Sequence, residues 1–328
     1  MKQESNKIIF FPKQKEEIEH NAFFAMKEKK FDKGLRYFEQ LIDHGVNDKD
    51  IILGKLTCLI ELGREREAED MCEELIAEKD ENFFSYINIY ATLLFQSHKH
   101  KDVAQLLEET LGYKEIPETL KSQLEKLYDV NQPLVDEQIE QEAKITKREL
   151  VQAFDKDDHL AQWHLVNHLQ NTDIRPYIIL FEEMLQNENV HPVIKTVIVG
   201  LLQAQSIDQM FKISKFGSEM MINPSQFPYM NEHPFRLKLR QELTDFEQDN
   251  PIFYQLSEQI IDRFFQVSYP FSPEIKELNI FKDAVISIVK SSFEQNVIVE
   301  DKNISTDLRA MINQIIEIEK IYFSIMDE

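Results

Sequence analysis

Three histidines fall within ten residues in the stretch HLAQWHLVNH: His159, His164 and His168. On a helix, His164 and His168 lie one turn apart on one face, the i, i+4 spacing of a two-histidine metal site, with Asp157 or Asp158 near enough to be a third ligand. A helical zinc hydrolase site also needs a glutamate directly after the first histidine as general base. Leu165 holds that place here, and the plainer reading is of helix histidines around a core Trp163. Two further histidines, His98 and His100 of a short HKH run, fall in an expected turn between helices. Cys58 and Cys72 sit inside apolar helical patterns, where a thiol is a small core group whose raised pKa makes it a poor nucleophile. No glycine-rich phosphate loop, no GxSxG elbow and no CxxC pair is present. Adjacent acids such as Glu73 and Glu74, or Glu182 and Glu183, diverge on a helix and read as solvated faces. The sequence therefore offers no catalytic residue, no metal site and no cofactor, and the expectation is a protein that is not an enzyme.

The elements that would position any site are helices stated more than once. FDKGLRYFEQL and EREAEDMCEEL share one grammar, and their small residues Gly34 and Ala68 are 34 residues apart. A period of 34 is that of a helix-turn-helix unit that buries its apolar face by stacking on a neighbour. In the first unit Ala22 and Ala25 are small enough for close helix approach, Phe31 closes the turn, and Phe38 and Leu41 face the core. In the second, Gly63 occupies the turn, where a positive φ costs glycine little, and Cys72 and Leu75 take the places of Phe38 and Leu41. A third copy, NIYATLLFQSHKHKDVAQLLEETL, places Ala104 36 residues after Ala68.

Over residues 17 to about 115 these stretches resemble the tetratricopeptide repeat (TPR) family. The lead-in IIFFPK and the later HPVIKTVIVGLLQ and KFGSEMMINP are also similar to a group of Gram-positive bacterial TPR proteins of about this length, the YsoA-like proteins. That resemblance implies a stacked helical scaffold and carries no activity with it. It also implies a concave groove lined by the first helix of each unit, and the alignment points Asn21, Ala25, Lys55, Leu59, Asn88, Ala91 and Phe95 toward it. TPR proteins that clamp a C-terminal carboxylate use Lys, Asn and Arg at such positions. Only Asn21 and Lys55 have that chemistry here, so an apolar or mixed peptide fits better, or else the chain's own IIFFP arm.

From VNQPLVDEQ onward the 34-residue grammar stops. Residues 147–205 read as short antiparallel helices that look like HEAT units, with Pro176 and Pro192 near helix starts. In FKISKFGSEMMINP a period of two, a turn at Gly217 and a stop at Pro224 predict a lone β-hairpin, which must lie against helices to be stable. Helices are expected near 235–248, 252–267, 273–294 and 305–326. The last carries Leu308, Met311, Ile315, Ile318 and Tyr322 at 3-4-3-4 spacing, widened by Ile312 and Ile316, which reads as a cap or as a homodimer seam. The expected fold is all-α: an α-solenoid of TPR units followed by HEAT-like helices, one small β-hairpin and a C-terminal helical cap. Its segments would be an N-terminal arm (1–15), a TPR domain (16–130), a HEAT-like segment (131–206), and the hairpin with a C-terminal bundle (207–328).

The chain has 328 residues, 42% of them hydrophobic and only 7 of them glycine, too little for a glycine-rich nucleotide fold. Its 37 basic and 59 acidic side chains give a net charge of −22, spread as −8 over residues 1–135 and −14 over 136–328. Such a chain repels phosphate backbones and anionic membranes, and the charge reads as solubility or as steering toward a basic partner. The longest apolar run, VIVGLL, is too short to span a bilayer. With two cysteines in apolar settings and no secretory leader pattern, a cytoplasmic protein is expected. The functional reading is an adaptor, monomer or homodimer, that binds a protein or extended peptide in the TPR groove or by strand addition at the hairpin edge. The alternatives are self-assembly through the last helix and a metal-dependent hydrolase at His164 and His168.

Overall fold

A computed structural model describes residues 12–294 and 305–327 of the chain. Most of the N-terminal arm, including all but its final Pro12 of the IIFFP motif, lies outside the described residues. Contacts between residues divide the chain into two compact units, one ending at Gln141 and the other beginning at Glu142. Fourteen α-helices, four three-residue 3-10 turns and one two-stranded sheet make up the regular structure among the described residues.

The first unit holds α1 (Pro12–Lys27), α2 (Phe31–Asp43), α3 (Lys49–Glu61), α4 (Glu65–Glu78), α5 (Phe83–Gln96) and α6 (His100–Leu111), followed by the first part of α7 (Glu118–Asp155). Each helix from α1 to α6 packs on the next, and α1 also touches α3, the order of stacked helical hairpins. The repeat is written in the backbone as well as in the side chains. Lys29, Gly63 and His98 close the turns inside the three hairpins with φ of 56°, 69° and 58°. In each, the next amide donates back five residues, Lys30 to Ala25, Arg64 to Leu59 and Lys99 to Leu94, at 2.8–2.9 Å. This is the left-handed helix terminator in which two amides satisfy otherwise orphaned carbonyls. Gly45 repeats the device between the first two hairpins, and Lys79, 34 residues on, takes the same left-handed backbone, with φ of 83° and 50°.

Close helix approach depends on the small residues. A Cβ on Gly34 would stand 3.0 Å from the Cys58 Sγ, and Ala22, Ala68 and Cys72 are fully buried around it. Phe38, Leu41, Ile51 and Leu56 fill the space between hairpins, and Phe23 meets the Phe38 ring edge-on at 5.3 Å. Leu75 is only half-buried, unlike its counterpart Leu41. A second cluster, with Ile87, Ala91, Val103, Leu107 and Leu124, continues the core into α7.

Helix α7 departs from the sequence reading. A separate helix was expected to begin at residue 147, but 147–155 are the end of one 38-residue helix that runs through Pro133. Proline removes one backbone donor, so the carbonyl of Asp129 loses its partner four residues on. The turn around it is held from outside: buried Asn131 donates from Nδ2 to the His100 carbonyl at 2.8 Å and its Oδ1 meets the His100 Nδ1 at 2.9 Å. The expected boundary at 130/131 therefore falls inside α7.

The second unit adds α8 (His159–His168), α9 (Ile178–Gln186), α10 (Pro192–Ala204), α11 (Pro234–Asp249), α12 (Pro251–Ser268), α13 (Leu278–Glu294) and α14 (Thr306–Asp327) to the end of α7. The caps follow from sequence: Asp158 accepts from the Ala161 amide at 2.9 Å, Asn250 accepts from that of Phe253 at 3.2 Å, and Pro192 and Pro251 stand where no amide partner is needed. Strands β1 (Phe211–Lys215) and β2 (Ser218–Ile222) pair antiparallel, with Phe211 opposite Ile222 and Lys215 opposite Ser218. The two residues between them, Phe216 and Gly217, both have positive φ, the geometry of a hairpin turn that matches strand twist. Phe211, Ile213 and Ile222 of this hairpin enter one core that runs from Leu150 to Ile325, so the expected boundary at 206/207 lies within a single packed body. In α14, Met311, Ile312, Ile315 and Ile318 are buried, and the helix packs on α12 and α13, with Arg263 Nε paired to Glu319 at 2.5 Å. The apolar stripe of the last helix is thus used inside its own unit.

Candidate functional site

The first helices of the three hairpins, α1, α3 and α5, carry the residues that the sequence assigns to a groove. They divide by exposure. Ala25, Leu59 and Ala91 are 6%, 2% and 0% exposed and pack between helices, so they offer no surface to a partner. Asn21 on α1, Lys55 on α3, and Asn88 and Phe95 on α5 are half-buried, each keeping part of its side chain accessible. Lys49 of α3 donates to the Ser85 Oγ of α5 at 3.1 Å, and Lys15 of α1 pairs with Asp48 just before α3 at 3.3 Å. These polar links between successive first helices run along the same stack. The Phe95 ring meets the His100 ring edge-on at 5.5 Å. The Arg64 guanidinium holds the carboxylate of Glu67 below its ordinary range, with a smaller contribution from Lys55. Lys55 is therefore a cation whose field reaches α4 while its amine stays part-exposed.

A second feature of this unit is a cleft of about 410 Å³ between α4, α5 and α6, which the sequence reading did not single out. Glu69, Glu73, Asp102 and Glu109 line it, with Lys99 and Tyr90. Lys99 Nζ lies 2.6 Å from Glu69 Oε2, and the Tyr90 hydroxyl donates to Glu73 Oε1 at 2.6 Å. Burial and this carboxylate push the Tyr90 phenol far above its ordinary value, so it stays a donor. The four acids come from two helices that are not adjacent in sequence, α4 and α6, and the stacking brings them together.

The second unit places the histidines apart from any ligand set. His164 and His168 are exposed, His164 lies edge-on to the Trp163 ring at 5.0 Å, and Asp158 is engaged as the cap of α8. Among the described residues no three His, Cys, Asp or Glu side chains stand close enough to hold a metal ion. His159 instead meets the Asn189 carbonyl through Nε2 at 2.8 Å. Cys58 and Cys72 are buried, and burial pushes their thiols up to about 11 and about 12, as expected of inert core groups.

Two buried lysines are the unit's chemically unusual groups. Lys215, 3% exposed on β1, donates to Thr196 Oγ1 at 2.7 Å, the Val267 carbonyl at 2.8 Å and the Tyr269 carbonyl at 2.6 Å. Lys195 on α10, 1% exposed, donates to the Ser214 carbonyl. Burial lowers both, Lys215 strongly and Lys195 to about 8, and the charge of Lys195 further opposes protonation of Lys215. A depressed lysine in a cleft is a common nucleophile. Lys215, however, has three acceptor oxygens within hydrogen-bond reach, so its amine is committed to tying β1 to α10 and to the end of α12.

No family model and no solved structure was found to match the chain. Over 284 residues it is 30% identical to the TPR repeat-containing protein YsoA of Bacillus subtilis (strain 168), which covers 85% of this chain and 84% of that relative. The aligned length exceeds that of either unit, so the likeness extends into both.

Proposed function

The chain belongs to the YsoA-like TPR repeat-containing proteins, and we propose that it is a protein-interaction scaffold that holds an extended peptide or a protein segment on the face of α1, α3 and α5. TPR repeat proteins typically bind rather than catalyse, and no helix of the described residues is long and apolar enough to cross a membrane. The observation that carries the reading is the recurrence of part-exposed side chains with complementary chemistry on successive first helices. Asn21 and Asn88 can each donate to and accept from a peptide backbone, Phe95 supplies an apolar contact, and Lys55 supplies one cation. Lys55 is the one cation beside these two asparagines, and a carboxylate clamp requires more than one, so an internal segment is favoured over a free C-terminus.

A photo-reactive phenylalanine analogue at Phe95, compared with the same group at exposed Glu74 on α4, tests this in native extract. Adducts formed from position 95 and not from position 74 are expected. Adducts from position 74 alone, or from neither, would place the partner elsewhere.

A further inference from the structure

Helix α10 contains a glycine, Gly200, that its own backbone does not require. A glycine inside a helix is unfavourable against alanine, and its usual structural reason is a neighbour too close for a Cβ. No heavy atom lies within 4 Å of where a Cβ on Gly200 would stand. The missing side chain of this exposed residue faces open space, and that space belongs to an open pocket of about 530 Å³ on the second unit. Gly200 lines it with Val193, Val197, Leu201 and Ala204 of the same helix, and Met230 closes it from the turn after the hairpin.

The polar groups of the cavity fall into two sets. Gln170, Thr196, Gln203, Tyr229 and Tyr269 are engaged with the chain itself: the Tyr269 hydroxyl donates to the Pro228 carbonyl at 2.7 Å, the Thr196 hydroxyl to that of Tyr269 at 3.0 Å, Gln203 Nε2 to that of Phe227 at 2.9 Å, Gln170 Nε2 to Asn167 Oδ1 at 3.3 Å, and the Tyr229 hydroxyl to the Gln203 carbonyl at 3.3 Å. The carboxamides of Asn171 and Asn231, which are exposed, and of half-buried Gln266 make no hydrogen bond to another described residue and are open to a ligand. No charged side chain lines the cavity, in a chain of which 29% is charged. A cavity without charge does not select phosphates, carboxylates or amines. A carboxamide offers both a donor and an acceptor, the complement of a peptide group. An apolar floor under free carboxamides of this size suits an apolar side chain presented from an extended backbone.

We infer that this cavity is a second binding site, for an uncharged peptide segment that inserts an aliphatic side chain over Gly200 and pairs its backbone with Asn171, Asn231 and Gln266. The site stands apart from the first unit and does not rest on the reading given for it.

The test uses the full chain and a three-leucine peptide capped at both ends, with a capped three-glutamate peptide as control, followed by amide NMR. Saturable shifts at Gly200 and Asn231 with the leucine peptide alone are expected. Gly200→Phe, whose ring enters open space, should weaken binding about tenfold or more while melting no lower than the parent. The triple change Asn171→Ala, Asn231→Ala, Gln266→Ala, which removes no buried bond, should weaken it comparably. Equal binding of both peptides, or leucine binding unaltered in both variants, would overturn the proposal. So would a dimer in the parent that Gly200→Phe dissociates, since the occupant would then be a second copy of the chain.

Discussion

Lys195 and Lys215 set the clearest expectation at the scale of single residues. Lys195 titrates near 10.5 in an unfolded chain and about 8 in the fold, where burial opposes its charge. Below pH 8 both states hold the proton and the fold bears the full cost of the buried charge. Between about 8 and 10.5 the native state has released a proton that the unfolded state keeps, so stability rises with pH through that window. Lys195→Met removes the contribution, and the parent should gain on the variant by up to about 3 kcal/mol across the window. Denaturant unfolding of both proteins at several pH values reads the difference, and a constant difference would contradict the assignment. The comparison between variants matters because Cys58 and Cys72 act in the opposite sense. Their thiols are raised by burial, so the stability they contribute is lost as pH climbs above 9.0. None of this was legible in the sequence. In FKISK a period of two puts Lys215 on the face of Phe211 and Ile213, opposite Lys212, but nothing local signals that it meets carbonyls 52 and 54 residues away.

Two glycines inside helices make opposite predictions at the scale of elements. A Cβ on Gly54 of α3 would lie 2.3 Å from the Phe38 ring, whereas one on Gly200 of α10 meets nothing. Gly54→Ala should destabilise by about 1–3 kcal/mol, since displacing a buried aromatic outweighs the gain in helix propensity. Gly200→Ala should stabilise by up to about 1 kcal/mol. Thermal unfolding of the two variants checks both, and shifts of the same sign would contradict the packing described. At this scale much was readable in advance. The hairpin falls at its expected place, and the four C-terminal helices begin and end within a few residues of expectation, because apolar periodicity and proline starts are local signals. The turn at His98 was also expected, but a left-handed backbone was readable only at Gly63; at Lys29 and His98 it is imposed on residues that do not favour it. Helix α7 was misread because a proline ordinarily ends a helix, and the bonds between Asn131 and His100 that hold the turn are tertiary.

For the whole molecule, the repeat explains why the groove assignment was only partly readable. A period of 34 gives the order of the helices, and the TPR resemblance assigns the first helix of each hairpin to the groove. The degree to which a position on that helix is covered depends on how closely neighbouring hairpins stack. Ala25, Leu59 and Ala91 are small or apolar, and stacking covers them; Asn21, Lys55, Asn88 and Phe95 keep accessible atoms. A net charge of −22 favours recovery of partners at low ionic strength, where the protein's field is least screened. The measurement that bears most directly on the scaffold reading is an affinity pull-down from native extract with the parent and with Lys55→Glu/Phe95→Ala, read by mass spectrometry after circular dichroism has verified that both are equally helical. A protein retained by the parent and lost by the double variant is the expected result. Identical sets of retained proteins from the two would contradict the claim that α1, α3 and α5 carry the binding face.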